Sequence, residues 1–260
     1  MRVATWNVNS LKARLPRVEQ WLADVTPDVL CLQETKMADS AFPGLAFASL
    51  GYEAVHHGQG RWNGVAILSR VGIEGVIDGF VEGAGGGRGG EARLLTANCG
   101  QVRVITLYAP NGRAVGHEEY RHKLDWLRRL RGHLDAAADP TSAVVVCGDF
   151  NVAPEDRDVW DPAACHGGTH VSPDERRALA ELEAWGLVDA LRRRHQEGGL
   201  YTWWDYRAGA FHKHLGMRID LIYASSPLAD RLSWVLIDRN ARKGRQPSDH
   251  APVIAEFHPG

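Results

Sequence analysis

The sequence predicts an α/β protein in which mixed β-sheets are sandwiched by helices. Three observations carry that prediction. Short apolar runs rich in β-branched residues outnumber the helical stripes. Stripes with a three-to-four-residue period lie between some of those runs. Neighbouring runs are often joined by short turns, as at 98–101, which does not describe a doubly wound parallel sheet.

The strand runs occupy 3–6, 29–32, 64–68, 93–97, 102–108, 143–147, 219–224 and 253–257. A first helix is marked by Leu11, Leu15, Val18, Leu22 and Val25, and Thr26-Pro27 ends it. Tyr120, Leu124, Leu127, Leu130 and Leu134 form a second stripe, with Arg128, Arg129 and Arg131 on the opposite face. A third helix starts with Ser172 as N-cap, Pro173 at the first position and Glu175 completing a capping box. Leu179, Leu182 and Trp185 form its apolar side, and Gly186 is placed to stop it. The glycine-rich run 83–90 reads as a flexible loop between two strands.

The chain has 260 residues, which suits one catalytic domain over 1–260, and no linker or repeat divides it. With 30 Lys and Arg against 32 Asp and Glu, its net charge of −2 excludes a bulk polycation. A polyanionic partner must therefore be met by a local patch. No apolar run is long enough for a membrane helix, and the N-terminal residues lack a signal-peptide core. Cys31, Cys99, Cys147 and Cys165 contain no C-x-x-C pair, so a reduced, cytoplasmic protein is expected.

Polar residues gather where the apolar runs end: Asn7 and Asn9 after the first, Gln33, Glu34 and Thr35 after the second. Tyr108 and Asn111 follow 102–107, and Gly148-Asp149-Phe150-Asn151 follows 143–147. Arg218-Ile219-Asp220 and Ser248-Asp249-His250 come later. Each fragment alone is a turn former or a helix cap. Together they make an oxygen-rich set with one imidazole, suited to Mg²⁺ or Mn²⁺ rather than zinc. If Glu34, Asp149, Asp220 and Asp249 converge, each pair at about 5 Å repels by roughly 3 kcal/mol at an effective dielectric near 20. A divalent cation, a proton or an imidazolium must offset that repulsion. A metal held this way binds phosphate oxygens, so phosphoester hydrolysis is the natural reaction.

The ordered set W-N-V-N-S, L-Q-E-T-K, L-Y-A-P-N, G-D-F-N, T-W-W-D-Y-R, R-I-D-L-I and S-D-H-A-P resembles the exonuclease III family of apurinic/apyrimidinic (AP) endonucleases. That family lies within the endonuclease/exonuclease/phosphatase superfamily. The likeness runs from residue 5 to 252 and implies a deoxyribonuclease I-like four-layer sandwich, two mixed β-sheets packed between helices. It also implies Mg²⁺ as cofactor, with Mn²⁺ able to substitute. The implied substrate is double-stranded DNA with abasic sites or blocked 3′ ends; a monomer without membrane contact is expected, because no surplus apolar stripe asks for a partner. The implied reaction is in-line attack of water on the phosphate 5′ to the abasic site, accompanied by 3′–5′ exonuclease and 3′-phosphodiesterase or phosphatase activity.

Position by position, Glu34 resembles the principal metal ligand, with Asn7 and Asp249 nearby. Asp149 resembles the residue that orients or deprotonates water, and Asn151 the amide that positions water and phosphate; both stand at the metal as well. His250 resembles the phosphate-contacting histidine with Asp220 as its carboxylate partner, and Tyr108 a phenol facing the phosphate. Trp203, Met217 and Ile219 match the walls of a small apolar pocket for a base-less sugar. Asn9 stands where some relatives carry Asp, and Met217 where some carry Trp.

Asn111 and Arg88 complete the implied substrate contacts, and Arg61, Arg113, Arg242, Lys243 and Arg245 are further candidates for gripping phosphates. Trp204 reads as core, Cys31 and Cys147 as buried small hydrophobes. Arg192-Arg193-Arg194 reads as a solvated face. Cys165, His166, His170, His212 and His214 read as surface loop residues rather than a zinc site. Two alternatives keep the fold: a phosphodiesterase or phosphatase acting on a non-DNA substrate, and a non-catalytic DNA-binding relative. Trp203 with the 218–220 segment disfavours the first, and the complete acid, amide and imidazole set the second.

Overall fold

The computed structural model describes residues 1–81 and 90–259. Arg88 and most of the glycine-rich run lie outside the described residues. In chain order the elements begin β1 (Arg2–Asn7), α1 (Leu11–Val25), β2 (Val29–Gln33), α2 (Gly44–Ser49), β3 (Glu53–His57), β4 (Val65–Ser69), β5 (Glu74–Asp78) and β6 (Leu94–Cys99). They continue with β7 (Val102–Tyr108), α3 (Glu118–Ala137), β8 (Val144–Asp149), α4 (Pro162–Cys165), α5 (Pro173–Ala184), β9 (Leu187–Asp189) and α6 (Ala190–Arg194). The last are β10 (Trp203–Trp204), β11 (Gly216–Met217), β12 (Asp220–Ser225), α7 (Ser226–Ala229), β13 (Leu232–Ile237) and β14 (Val253–Phe257).

Two six-stranded sheets result, ordered β13-β14-β1-β2-β4-β3 and β5-β6-β7-β8-β12-β9. Each is mixed: β1 runs parallel to β2, β7 parallel to β8, and the other pairs are antiparallel. Strand alternation then builds four layers. Val3, Val29, Cys31 and Ile67 of the first sheet meet Leu95, Val104, Val145, Cys147 and Ile222 of the second. The intervening residues Ala4, Leu30, Leu32 and Leu68 face outward onto Leu11, Val18 and Leu22 of α1 and Phe47 of α2. On the far side Ile105, Leu107, Val144 and Val146 pack on Trp126, Leu127, Leu130 and Leu134 of α3 and Leu179 and Leu182 of α5. This is the predicted sandwich.

The eight predicted strands are central ones. The structure adds β3, β5, β9 and β13 in the two sheets, and pairs β10 with β11 as a short ribbon. β3, β5, β9 and β13 lie at sheet edges, where no continuous apolar run is required. β5 is largely exposed, and the pairings of β5 and β13 are broken by register shifts. The three predicted helices stand as read, including Thr26 as a left-handed C-cap and the reciprocal Ser172–Glu175 capping box. Among the described residues, no helix is long and apolar enough to cross a membrane.

Two expectations on charge are corrected. Arg192 is buried rather than solvated: it pairs with Asp158, which also accepts from Arg218, while Arg218 reaches Asp189 at 2.7 Å. Arg193 and Arg194 are exposed as read, with Arg193 bridging to Asp230. Arg242 is buried as well. It lies over the rings of Tyr206 and Phe211 and donates to the Trp204 carbonyl, so it supports a loop rather than gripping phosphate.

Candidate active site

Both parallel pairs arise from a β-α-β crossover, β1-α1-β2 in one sheet and β7-α3-β8 in the other. The carboxyl ends of those four strands open at one edge of the sandwich, where such folds present ligand sites. Asn7 ends β1, Tyr108 ends β7, Asp149 ends β8, and Glu34 follows β2 directly. Gly148 sets the last of these positions. At φ 145, a Cβ there would collide with the Leu107 carbonyl oxygen, so only glycine lets β8 press onto β7 just before Asp149.

The two sheets meet through Asn7, whose Nδ2 donates to Glu34 Oε1 at 2.8 Å and to Asp149 Oδ2 at 2.9 Å. Asp149 Oδ1 accepts from the Asn151 backbone N–H at 2.9 Å. Asn151 Nδ2 donates to the Ala109 carbonyl, which leaves its Oδ1 toward Asn111 Nδ2 at 3.4 Å. His250 Nδ1 lies 2.8 Å from Asp220 Oδ2, and its Nε2 lies 3.9 Å from Asp149 Oδ2. Asn9, Glu34 and Asn151 all adopt positive φ, at 44°, 51° and 52°. For Glu34 that conformation is strained, a cost that clusters at functional sites.

Charge inside the site is strongly perturbed. Burial, then the nearby Asp220 carboxylate, pushes Asp149 up to about 7, with the His250 cation pulling the other way. Burial pulls His250 down, but Asp220, Asp249 and Asp149 outweigh it and hold the imidazole at about 10. His250 is therefore an imidazolium with one N–H on Asp220 and the other turned into the site, 3.9 Å from Asp149 Oδ2. Burial, then the Glu34 charge, raises the Tyr108 phenol well above its ordinary value, so it stays a neutral donor.

Ligand atoms of Glu34, Asp149 and His250 lie within 4.8 Å of one another. A protonated imidazole cannot ligate, so in this group the carboxylates of Glu34 and Asp149 are the ones that could hold a cation. Carboxylate oxygens are hard donors and fit a small divalent cation, while Asn7 turns its Nδ2 toward them and its Oδ1 to the Asn9 N–H. Asp249 is not drawn into the group. Its Oδ1 accepts from Asn9 Nδ2 at 2.9 Å and its Oδ2 from Trp203 Nε1 at 3.1 Å.

Beside it the predicted pocket walls assemble. Trp203 pairs with Met217 across the β10–β11 ribbon, and both pack with Ile219, Val159 and Val171. Trp204, the next residue, is fully buried on the other face, as expected for core. Arg61, Arg113, Lys243 and Arg245 are exposed.

Three residues near the site were not singled out from sequence, and a fourth, His170, was given another place. Lys36 lies 2.8 Å from Glu34 Oε2 and donates to Asn9 Oδ1. Arg93 stacks over the Tyr108 ring, 4.7 Å from its centroid. Lys123 is fully buried behind Asn151, and His170, read as a surface loop residue, packs there too. Its Nδ1–H donates to the Asn151 carbonyl, so its Nε2 accepts from Asn111. Burial and the Lys123 charge lower His170 to about 4, keeping it neutral. The signal for Lys123 was its place on the apolar face of α3, one turn after Tyr120 and one before Leu127.

Two sheets that present carboxylates, amides, a phenol and an imidazolium at one edge define a metal-dependent phosphoester hydrolase with a deoxyribonuclease I-like fold. Residues 4–250 match the model of the endonuclease/exonuclease/phosphatase family. Exodeoxyribonuclease III of Haemophilus influenzae is 32% identical, over 99% of this chain and 100% of that protein. An AP endonuclease from Archaeoglobus fulgidus superposes with a TM-score of 0.95 at 40% identity, covering 99% of both chains. A 3′ phosphatase from Neisseria bound to product DNA hairpin superposes with a TM-score of 0.94 at 40% identity, also covering 99% of both. The chain belongs to the endonuclease/exonuclease/phosphatase family, in its exonuclease III branch. It is accordingly a metal-dependent phosphodiester hydrolase of the DNA-repair nucleases.

Proposed function

We propose that this protein is a Mg²⁺-dependent AP endonuclease that incises duplex DNA 5′ to abasic sites and also trims or unblocks 3′ ends. Mn²⁺ would substitute for Mg²⁺. The observation that carries the reading is the meeting of Asn7, Glu34, Asp149 and the Asp220–His250 pair beside the apolar wall of Trp203, Met217 and Ile219. An acidic centre alone would suit any phosphoester. The apolar wall adds a place for a sugar without its base.

Asp149 would orient the attacking water and take its proton. The Asn151 amide would position that water and the scissile phosphate. The His250 imidazolium would donate from Nε2 to a phosphoryl oxygen, and the Tyr108 phenol to a second oxygen as charge builds. A cation held by Glu34 and Asp149 would supply Lewis-acid stabilisation of the same charge. The bond from phosphorus to the upstream 3′ oxygen breaks, leaving a 3′-hydroxyl and a 5′-deoxyribose phosphate. Contributions from residues 7 to 250 make the whole chain one catalytic unit, read here as a cytoplasmic monomer acting at the nucleoid. Arg61, Arg113, Lys243 and Arg245 would grip the backbone; with four phosphate contacts, log affinity falls against log salt with a slope of roughly −4.

The test is a duplex carrying one tetrahydrofuran abasic analogue, compared with the same duplex bearing a 3′-phosphate nick, each with Mg²⁺ or EDTA. Metal-dependent incision of the first is expected. Dephosphorylation of the second with the first left intact would instead restrict the activity to 3′ ends. Binding of both without reaction would make the protein a non-catalytic relative.

A further inference from the structure

Behind the second half of the site lies an ion pair that the proposed chemistry does not use. Lys123 and Glu175, on α3 and α5, are both fully buried and in direct contact. Every oxygen of Glu175 is occupied. Oε1 also accepts from Thr169 Oγ1 at 2.9 Å and the His170 N–H at 3.0 Å, and Oε2 accepts from the N–H and hydroxyl of Ser172. Gly112 makes room for the lysine. With φ at 89°, it stands where a Cβ would come to 3.0 Å from Lys123 Cδ and 2.9 Å from Thr169 Oγ1.

A buried pair of this kind seldom raises stability over a well-packed neutral replacement. What it does here is hold two carbonyls. Lys123 Nζ donates to the Asn151 carbonyl at 2.6 Å and to the Asn111 carbonyl at 3.3 Å. Asn151 sits at φ 52° and its own N–H binds Asp149 Oδ1. The residue is thus gripped from both ends: by Asp149 on the site side, by Lys123 on the buried side. His170 adds a second donor to the same carbonyl and bonds the Asn111 side chain.

We infer that Lys123, fixed by Glu175, is a positioning residue for the reaction. It locks the backbone of Asn151 and Asn111 so that the Asn151 side-chain amide holds its working orientation. The inference rests on the role given to Asn151 above.

Lys123→Met alone strands the Glu175 carboxylate and could fail to fold, so the informative variant is Lys123→Met/Glu175→Gln. It removes both charges and keeps an acceptor for the capping box. On the abasic duplex, this variant should melt near the wild-type temperature and lose about 10- to 100-fold in kcat, as supporting partners of active-site groups typically do, with KM unchanged. In an Asn151→Ala background the same two substitutions should change kcat by less than about twofold, because the pair acts through that residue. A folded double variant with wild-type kcat would overturn the inference, as would an equal further loss in the Asn151→Ala background. Wild-type turnover by Asn151→Ala itself would overturn the reading of the site beneath it.

Discussion

The β1-α1-β2 and β7-α3-β8 units offer a natural comparison. Each crosses over through one helix, each ends its strands at the site, and in each a cation on the helix binds the carbonyl of an asparagine after the first strand. In the first unit, Arg14 donates to the Asn9 carbonyl at 2.6 Å and also reaches the Tyr206 hydroxyl and the Pro247 carbonyl. That network lies at the surface. In the second, Lys123 serves Asn111 from full burial, with Glu175 behind it. Glu34 and Asn9 accordingly stay partly exposed while Asp149 and Asn151 are buried. One similar connection has given an accessible edge and a sealed one; in the proposed mechanism the first would exchange a cation and the second would orient water.

The largest expected effects should separate those edges. Asp149→Asn should lose about 10²- to 10⁴-fold in kcat, the range for a general base, and added Mg²⁺ should not restore it. Glu34→Ala should also be crippled, but its activity should climb with Mg²⁺ because it loses chiefly a ligand. Both should remain folded by circular dichroism. Full rescue of Asp149→Asn by metal would erase the distinction.

The His250–Asp220 pair joins the halves, since His250 precedes β14 of the first sheet and Asp220 opens β12 of the second. His250 titrates higher folded than unfolded. Its stabilisation is therefore complete below about 6.5 and is lost as pH rises through about 10. In metal-free protein, thermal melts should fall between pH 7 and 10.5, and Asp220→Asn should flatten that fall. An unchanged slope in Asp220→Asn would place the stabilising charge elsewhere.

The smallest effect belongs to the exposed edge. Arg14→Ala should cost about 1 kcal/mol or less in chemical denaturation and leave kcat nearly intact. A loss of kcat matching that of Lys123→Met/Glu175→Gln would show that both units are equally rigid.

Much of this architecture was legible because central strands and catalytic ends obey local rules. The run 143–147 is apolar because β8 is covered on both faces, and Asp149 follows because strand ends carry polar work. Edge strands such as β5 left no such run. Long-range partners were invisible for a different reason. Glu175 lies 52 positions from Lys123, and the rings that cover Arg242 come from a separate loop, so neither burial follows from spacing. Asp249 shows the same limit: nothing in S-D-H reveals that its two oxygens accept from Asn9 and Trp203, residues far away in the sequence.

In the proposed function the two units together deliver water to a phosphodiester 5′ to a missing base. Incision of the tetrahydrofuran duplex in H₂¹⁸O with Mg²⁺, followed by mass spectrometry of both fragments, tests it directly. One ¹⁸O is expected in the new 5′-phosphate and none at the 3′-hydroxyl. A new 3′-phosphate, or a 5′-phosphate free of solvent oxygen, would contradict it.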